Sequence, residues 1–339
     1  MTMWRSKLTE GFSDHKRLVL GIWIGGFILS GVASPMLITV TRYNYAPPSM
    51  TLWPLYPLYL GNLLAGFFGT STSGEQRRDA TKLFGLDAAG QAFTNLGLLA
   101  AGPSTCTIFY KSVTVFTGLL SIVFLPAASH PTAWQWFAML IITAGLGLQG
   151  IDLSSFGPLE RWGAGLTVFG CIFFAGGAVA SEGLLAARRG GLAPLQAAWI
   201  VGVEGTAVSL AWAIGSAAMG EWLPGDAGFW LLFLALTLSA AMHQAAWFTL
   251  VGRIGAVATA VLKALQSAFI FLSAGAAFCH RESAECLTTE KITSFIIVSI
   301  GVLVYTRTAG GVAAREPADS AQLVGDRPAP PIYGRAGCA

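Results

Sequence analysis

Two lysines lie inside apolar stretches of this sequence. Lys111 lies in STCTIFYKSVTVFTGLLSIVFL (residues 104–125), and Lys263 lies in GAVATAVLKALQSAFIFLSAGAAF (residues 255–278). Each stretch is long enough to cross a bilayer as a helix. A cation in hydrocarbon costs at least about 2.5 kcal/mol, so each ammonium group is expected to face a hydrated cavity inside the protein. Because lysine binds phosphate as a point charge, the pair predicts a site for an anionic substrate.

A second interpretation of the two lysines stays open. Long cationic side chains can extend to the membrane interface, or pair with a buried acid such as Glu204. The spacing favours the functional interpretation. The lysines are 152 positions apart, and each is followed ten positions later by a serine. Gln91 precedes Lys111 by 20 positions, and Gln244 precedes Lys263 by 19.

The composition is that of a polytopic membrane protein. The 339 residues are 54% hydrophobic and 11% charged, with a mean hydropathy of +0.63, whereas a soluble domain has about 25% charged residues. No basic stripe with interleaved aromatic residues indicates nucleic-acid binding. The apolar stretches predict ten spans, at about residues 18–40, 53–69, 83–101, 104–125, 133–150, 163–187, 194–219, 229–251, 256–278 and 292–306.

The ten spans divide into two equal sets. We expect a cytosolic tail over residues 1–17, a five-helix repeat over 18–150, a second over 151–308, and a disordered cytosolic tail over 309–339. An odd number of spans per repeat inverts the second repeat relative to the first, as in many secondary transporters. The predicted fold is therefore an all-α membrane protein with ten transmembrane helices in two inverted repeats.

The loop charges predict the orientation. With the N-terminus inside, twelve Lys and Arg residues lie in inner segments and four in outer ones. Cytosolic loops carry the excess of positive charge, so both termini are predicted to be cytosolic.

Further polar residues lie within the predicted spans. Those that could line a substrate site with the lysines are Glu204, Asn95, Gln91, Gln244, His243 and Gln266. Ionisable groups in membranes are usually functional, whereas an amide often bonds to a neighbouring helix. Glu204 could pair with a lysine, couple protons or contact substrate. Asp87 lies near the predicted inner interface, which favours a structural role, and Glu182 is expected to cap or pair near the inner end of the sixth span.

The sequence carries no motif for catalysis, ATP binding, a cofactor or a metal. The chain is therefore not expected to be an enzyme or an ATP-driven pump. Cys279 and Cys286 bracket a short polar loop, and they could form a disulfide if that loop faces an oxidising lumen. Two free thiols are the alternative.

Several stretches resemble a known superfamily. LGLLAAGPSTCTIFYKSVTVFTGLLSIVFL, AVASEGLLAARRGGLAPLQAAWIVGVEG and GAVATAVLKALQSAFIFLSA resemble the drug/metabolite transporters, in particular the nucleotide-sugar-transporter-like solute carrier family 35 and its F group. The resemblance implies two inverted five-helix repeats around a cavity with alternating access. It also implies that basic residues of the fourth and ninth helices, here Lys111 and Lys263, contact substrate phosphates. The ninth segment reads AVLKALQ rather than the GALNK type of GDP-mannose carriers, so guanine-nucleotide specificity is not implied.

The resulting expectation is a secondary transporter of a small anionic metabolite, a nucleotide sugar or another organic phosphate, by alternating access and exchange. Its partners would be that substrate and the lipid bilayer of an endomembrane (Golgi, ER, lysosome or vacuole), and a homodimer is compatible with the sequence. One alternative is a carrier of cationic or neutral solutes, similar to chloroquine-resistance-type members, in which Glu204 and Asp87 bind substrate. The other is a membrane scaffold or receptor that does not transport.

Overall fold

The computed structural model describes residues 2–45, 53–67, 69, 74–148, 157–185, 192–220, 223–281 and 286–313. These residues form ten α-helices and no strand. The helices are α1 (Thr2–Tyr45), α2 (Leu55–Gly66), α3 (Gly74–Tyr110), α4 (Val113–Phe124), α5 (Ala133–Gly147), α6 (Pro158–Leu185), α7 (Pro194–Ala218), α8 (Ala227–Ile254), α9 (Ala256–Phe278) and α10 (Thr289–Ala313).

Length and composition suit these helices to a membrane. Within the described ranges, six helices are long and apolar enough to span one: α1, α6, α7, α8, α9 and α10. Helices α4 and α5 are apolar but shorter. Large apolar side chains point outward from the bundle, and Leu29, Phe124 and Leu231 expose 73%, 70% and 68% of their surface. Such an exterior suits contact with lipid rather than water.

Contacts between helix ends show that successive helices alternate in direction. Gly66, the last residue of α2, meets Trp199 near the start of α7. Ala101 of α3 meets Gly163 near the start of α6, and Tyr43 stacks near Phe278, so α1 and α9 end together. We call the membrane face where α1 enters the bilayer the N-side. Helices α2, α4, α6, α8 and α10 end at the N-side.

Close helix contacts depend on small residues. Helix α2 packs against α7, where Gly202 lies against the backbone of Leu63, and any added Cβ would collide with it. Small residues at such positions let two backbones approach closely, which is how membrane helices gain packing energy. A second buried cluster joins α5, α9 and α10 through residues such as Met139, Val261 and Val298.

The fourth span differs from the expected continuous helix over 104–125. Helix α3 extends past Gly102 and Pro103 to Tyr110. The chain nevertheless reverses there, because Cys106 Sγ lies 3.7 Å from the carbonyl oxygen of Thr94, whereas twelve residues of straight helix measure about 18 Å. Residues 111–112 then form a turn before α4 begins, in which Ser112 keeps helical dihedral angles (φ −58°, ψ −18°). Lys111 therefore lies in this turn.

The ends of the chain also differ from expectation. Helix α1 begins at Thr2 rather than near residue 18. Helix α10 extends to Ala313. The remainder of the predicted disordered tail, residues 314–339, lies outside the described residues.

Candidate functional site

A cavity of about 180 Å³ lies inside the bundle. Its wall combines apolar residues with an unusual number of polar and aromatic ones: Asn62, Asp87, Gln91, Tyr110, Thr117, Phe174, Ser181, His243, Gln244, Trp247 and Lys263. These come from α2, α3, α4, α6, α8 and α9, so the cavity is central to the fold. Four of the residues expected at the site are on this wall: Lys263, Gln91, His243 and Gln244.

The cavity lies in the half of the bundle nearer the N-side. Asn62 and Ser181 are each four residues before the N-side end of their helix, and Ala260 is four residues after the N-side start of α9. Toward the opposite side the helices meet. There Ser34 Oγ is 3.0 Å from Ser239 Oγ, between α1 and α8. The described conformation therefore places the cavity toward the N-side.

The Lys263 ammonium group is held at the wall by aromatic residues. Its Nζ donates a hydrogen bond of 2.7 Å to the hydroxyl oxygen of Tyr110. It also lies 5.0, 5.8 and 5.3 Å from the ring centroids of Tyr110, Phe174 and Trp247. Cation–π contacts of this kind stabilise an ammonium group by about 0.5–2 kcal/mol each without neutralising it. Lys263 is therefore fixed at the cavity wall by Tyr110, Phe174 and Trp247.

An acid shares the cavity with Lys263. Asp87 lines the wall, and its Oδ2 accepts a hydrogen bond of 2.8 Å from Tyr59 Oη. The sequence analysis placed Asp87 near the interface, because it follows the charged segment ending at Lys82 by only five residues. The hydroxyl donor from α2 was the missing signal, and sequence spacing does not reveal it.

Uncharged polar groups complete the wall. His243 Nδ1 lies 3.3 Å from the carbonyl oxygen of Phe27, which can only accept, so Nδ1 is the donor in this contact. The ring also stacks on Phe27 at 4.5 Å. Asn62 Oδ1 is buried and has no hydrogen-bond partner among the described residues. The cavity therefore offers an amine, a carboxyl group and several amide and hydroxyl groups to a solute.

Lys111 is not on the wall of this cavity. Only 7% of its surface is exposed, and its Nζ lies 5.4 Å from the ring centroid of Phe271 on α9. No carboxylate lies within salt-bridge distance of its Nζ in the described part of the chain. The expected cation pair is thus divided in this conformation, with one lysine at the cavity and one enclosed by protein.

Three other expected site residues are also away from this cavity. Glu204 Oε1 accepts a hydrogen bond of 2.6 Å from Thr81 Oγ1 on α3, so it bonds to a hydroxyl rather than to a lysine. Asn95 Nδ2 donates to the carbonyl oxygen of Gln91 at 2.7 Å. Gln266 is buried against Gly31 of α1. In this conformation these three side chains contact neighbouring protein groups.

The structure joins Cys279 and Cys286 in a disulfide at the end of α9 opposite to the N-side. The same segment contacts the end of α1. Arg281 Nη1 donates to Asn44 Oδ1 at 3.4 Å, and its guanidinium group lies 5.6 Å from the ring centroid of Tyr43. These contacts hold α1 and α9 together on the side away from the cavity.

No family model matches the chain. Individual curated proteins do match part of the chain. Residues of the chain are 27% identical over 160 positions to solute carrier family 35 member B1 of Mus musculus, and 29% identical over 161 positions to that of Xenopus laevis. The alignments cover 43% of this chain and 48% and 49% of those proteins. The chain thus spans about half the length of the curated relatives it matches.

These relatives confirm the resemblance to solute carrier family 35, although they are named as B members and the sequence analysis named the F group. Proteins with that name are carriers, which supports the expectation that this chain is not an enzyme. One solved crystal structure superposes with a TM-score of 0.64 at 17% identity, covering 87% of this chain and 98% of that one. At that identity the likeness shows the fold alone.

Proposed function

We propose that the protein is a secondary-active transporter of a small anionic metabolite, a nucleotide sugar or another organic phosphate, working by alternating access in an endomembrane. The observation that carries this proposal is Lys263, a cation held by Tyr110 at the wall of a cavity inside the bundle. An ammonium group in this position attracts phosphate strongly, because little water screens the charge. The similarity to solute carrier family 35 supports the same class of substrate.

The size of the cavity supports movement of the helices during transport. Ligand pockets usually enclose about 300–1,000 Å³, and this cavity encloses about 180 Å³. A phosphate or a small sugar phosphate fits such a volume, whereas a nucleotide sugar requires the helices to separate. In the described conformation the cavity lies toward the N-side and is contracted, and we propose that it widens when substrate binds.

The charges at the site favour exchange over free release. Without substrate, the Lys263 ammonium group has no carboxylate within salt-bridge distance among the described residues. A bound phosphate would supply that missing negative charge. A carrier that exchanges one anion for another does not have to change state with the charge unpaired.

Helix packing supports the inverted repeat. We exchange each helix of the first repeat with its counterpart in the second: α1 with α6, α2 with α7, α3 with α8, α4 with α9 and α5 with α10. The α1–α8 contact then becomes the α3–α6 contact, and the α1–α9 contact becomes the α4–α6 contact. The pairs α2–α7, α4–α9 and α5–α10 convert into themselves, and all of these pairs are in contact. This pattern is expected when two five-helix units are related by an axis in the membrane plane.

The disulfide supports the orientation. Disulfides persist in oxidising compartments, and Cys279–Cys286 lies opposite to the N-side. An N-side facing the cytosol and a disulfide facing a lumen agree with the excess of Lys and Arg predicted for the cytosolic segments. Both termini would then be cytosolic, because ten helices return the chain to its starting side.

A second function, transport of a cationic or neutral solute, is favoured by one observation. Asp87 lines the cavity with one of its oxygens bonded to Tyr59, so a carboxylate is available to an amine. Glu204 would not take part in the conformation described, since its Oε1 is bonded to Thr81 away from the cavity.

A binding experiment on the full chain purified in detergent distinguishes the two functions. Thermal stability is measured with inorganic phosphate, nucleoside monophosphates, nucleotide sugars, sugar phosphates and amines. The anion proposal predicts stabilisation by phosphates that Lys263→Ala abolishes and Lys263→Arg partly retains. Lys82→Ala is the matched control, because Lys82 is exposed and pairs with Asp79 at the surface, where an ion pair contributes little.

The result that contradicts the anion proposal is stabilisation by amines alone, lost in Asp87→Asn and kept in Lys263→Ala. Compounds that stabilise are then tested for uptake into liposomes preloaded with the same compound or left empty. Exchange predicts uptake only with preloading. Stabilisation without any uptake would favour a receptor.

A further inference from the structure

The cavity wall carries an acidic and a basic side chain that do not pair with each other. Among the described residues that line it, Asp87 on α3 is the single carboxyl group and Lys263 on α9 is the single amine. Both side chains are half-buried, yet no salt bridge joins them. Opposite charges in a poorly hydrated cavity attract strongly, because little water screens them. Their separation therefore needs a structural cause.

Each of the two groups is held by a tyrosine hydroxyl. Asp87 Oδ2 accepts a hydrogen bond of 2.8 Å from Tyr59 Oη on α2, and Lys263 Nζ donates one of 2.7 Å to Tyr110 Oη at the end of α3. Both rings are fixed by packing. Tyr59 is only 3% exposed, and the ring of Tyr110 meets that of Phe174 edge-on, with their centroids 5.6 Å apart. The two tyrosines thus hold the acid and the amine at separate positions on the wall.

Both groups have bonding capacity left for a solute. Asp87 Oδ1 has no hydrogen-bond partner among the described residues. An ammonium group has three N–H donors, and Lys263 gives one of them to Tyr110. A site whose groups are fixed before binding loses little conformational freedom when a ligand arrives. The wall is therefore preorganised for a solute that carries both a negative and a positive charge.

A second acceptor lies on the same side of the cavity as the acid. Asn62 comes three residues after Tyr59 and so shares its face of α2. Asn62 lines the cavity and is 2% exposed, and its buried Oδ1 has no donor among the described residues. Leaving a buried acceptor without a donor is unfavourable, so a donor on the solute would satisfy it. The α2 and α3 side of the wall thus offers two acceptors, and the α9 side offers the amine.

We propose that the transported organic phosphate is a zwitterion, whose phosphate binds Lys263 and whose ammonium group binds Asp87. This inference rests on the proposed function and names a narrower class of substrate for the same site. The solute brings each wall group an opposite charge, which favours the charged form of both. Asn62 would accept from another N–H of the ammonium group or from a neighbouring hydroxyl. Small amino sugar phosphates and phosphoethanolamine are solutes of this kind.

A zwitterion accounts for the composition of the wall better than a solute with one charge. A carboxylate beside a bound anion repels it, and like charges brought together weaken binding, so a site for a simple phosphate does not explain Asp87. A site for a simple amine has the same difficulty with Lys263. One solute that carries both charges gives each side chain a partner.

A matched series of sugar phosphates tests the proposal on the full chain purified in detergent. Glucosamine 6-phosphate carries both charges. Glucose 6-phosphate has a hydroxyl in place of the ammonium group, N-acetylglucosamine 6-phosphate has an uncharged amide there, and glucosamine lacks the phosphate. Phosphoethanolamine and ethyl phosphate form a second, smaller pair. The melting temperature is measured against the concentration of each compound, which gives its apparent affinity.

The proposal predicts that glucosamine 6-phosphate binds about 10- to 100-fold more tightly than glucose 6-phosphate or N-acetylglucosamine 6-phosphate, the range expected for a hydrogen bond between charged groups. Phosphoethanolamine should exceed ethyl phosphate by a similar factor. Glucosamine alone should bind weakly, since it leaves Lys263 without a phosphate. These comparisons use the unaltered protein, so they do not depend on whether a variant folds.

Asp87→Asn should remove the preference for the zwitterion. Its amide oxygen can still accept the hydrogen bond from Tyr59, but the side chain lacks the charge that binds an ammonium group. Glucosamine 6-phosphate and glucose 6-phosphate should then bind with similar affinity, whereas Lys263→Ala should weaken both. Asp79→Asn is the matched control, because Asp79 pairs with Lys82 at the surface, and it should leave the preference unchanged.

Equal binding within both pairs of compounds, or a preference that persists in Asp87→Asn, would overturn the proposal. So would the absence of any effect of the two zwitterions, whatever inorganic phosphate does. The proposed function fails separately. Phosphates that stabilise the protein without a preference for the zwitterion contradict this inference and leave the anion carrier standing, whereas stabilisation by glucosamine with no effect of any phosphate contradicts both.

Discussion

The carboxylate of Glu182 on α6 accepts a hydrogen bond of 2.6 Å from the backbone N–H of Ala256, the first residue of α9. A single residue, Gly255, joins α8 to α9, and its φ of +87° is one that glycine adopts readily. The acid therefore satisfies an N–H at the start of α9, where a negative charge is favourable. Because Lys263 lies two turns further along, Glu182 fixes the start of the helix that carries the cavity cation.

Replacing Glu182 should lower thermal stability. Loss of a side chain that caps a helix costs about 0.5–2 kcal/mol, so Glu182→Ala is expected to lower the melting temperature of the purified protein. Glu182→Gln should have a smaller effect, since its amide oxygen still accepts the bond. Asp79→Ala, whose carboxylate pairs with Lys82 at the surface, is the control, and an equal loss of stability in both alanine variants would contradict the capping role.

The hydroxyl of Tyr110 should stabilise the protein through Lys263. Tyr110→Phe keeps the ring beside the ammonium group but removes the oxygen that accepts its hydrogen bond. Leaving a half-buried donor without that partner costs about 1 kcal/mol or more, so the melting temperature should fall by several degrees.

Tyr56 provides the matched control for Tyr110. Its hydroxyl is buried and has no partner among the described residues, so Tyr56→Phe should leave the melting temperature unchanged or raise it slightly. If the two phenylalanine variants melt at the same temperature, the bond from Lys263 to Tyr110 makes no net contribution to stability.

The sequence predicted the helices better than it predicted the site. Runs of apolar residues have a length that the bilayer requires, so ten helices and their order follow from local pattern. A lysine inside such a run is also visible in the local sequence, which is why Lys111 and Lys263 could be singled out as candidate site residues. Which of the two lines a cavity depends on the conformation of the whole bundle, and no local pattern contains that information.

Asp87 and Glu204 also show that position along a helix does not predict whether a side chain reaches the cavity. Asp87 looks interfacial along α3, yet a hydroxyl from α2 holds it at the cavity wall. Glu204 looks central along α7, yet its partner is Thr81 near the N-side start of α3. In both cases the deciding neighbour lies on another helix, and it is fixed by how the helices pack rather than by position within one.

The contact between α2 and α7 should not tolerate a methyl group. Gly202→Ala places a Cβ against the backbone of Leu63, which cannot move aside as a flexible side chain can. Overpacking of this kind costs about 1–3 kcal/mol, so the variant should melt at a lower temperature and give less monodisperse protein.

Gly215 is the control for Gly202 on the same helix. A Cβ there meets nothing within 4 Å, and alanine is the better helix former by up to about 1 kcal/mol. Gly215→Ala should therefore melt at the same temperature or higher. A loss of stability in Gly215→Ala equal to that in Gly202→Ala would mean that α7 is sensitive to helix propensity rather than to its contact with α2.

The disulfide should be present in the isolated protein and should stabilise the contact between α9 and α1. The chain has five cysteines, so alkylation of the denatured protein should add three groups without reductant and five after reduction. Closing a loop of this length contributes about 2 kcal/mol, and Cys279→Ser should lower the melting temperature. Arg281→Ala removes the contact with Asn44 and Tyr43 but keeps the disulfide, so it isolates the effect of that contact. Five alkyl groups added without reductant would show that both thiols are free, and the proposed lumenal orientation would lose its support from the disulfide.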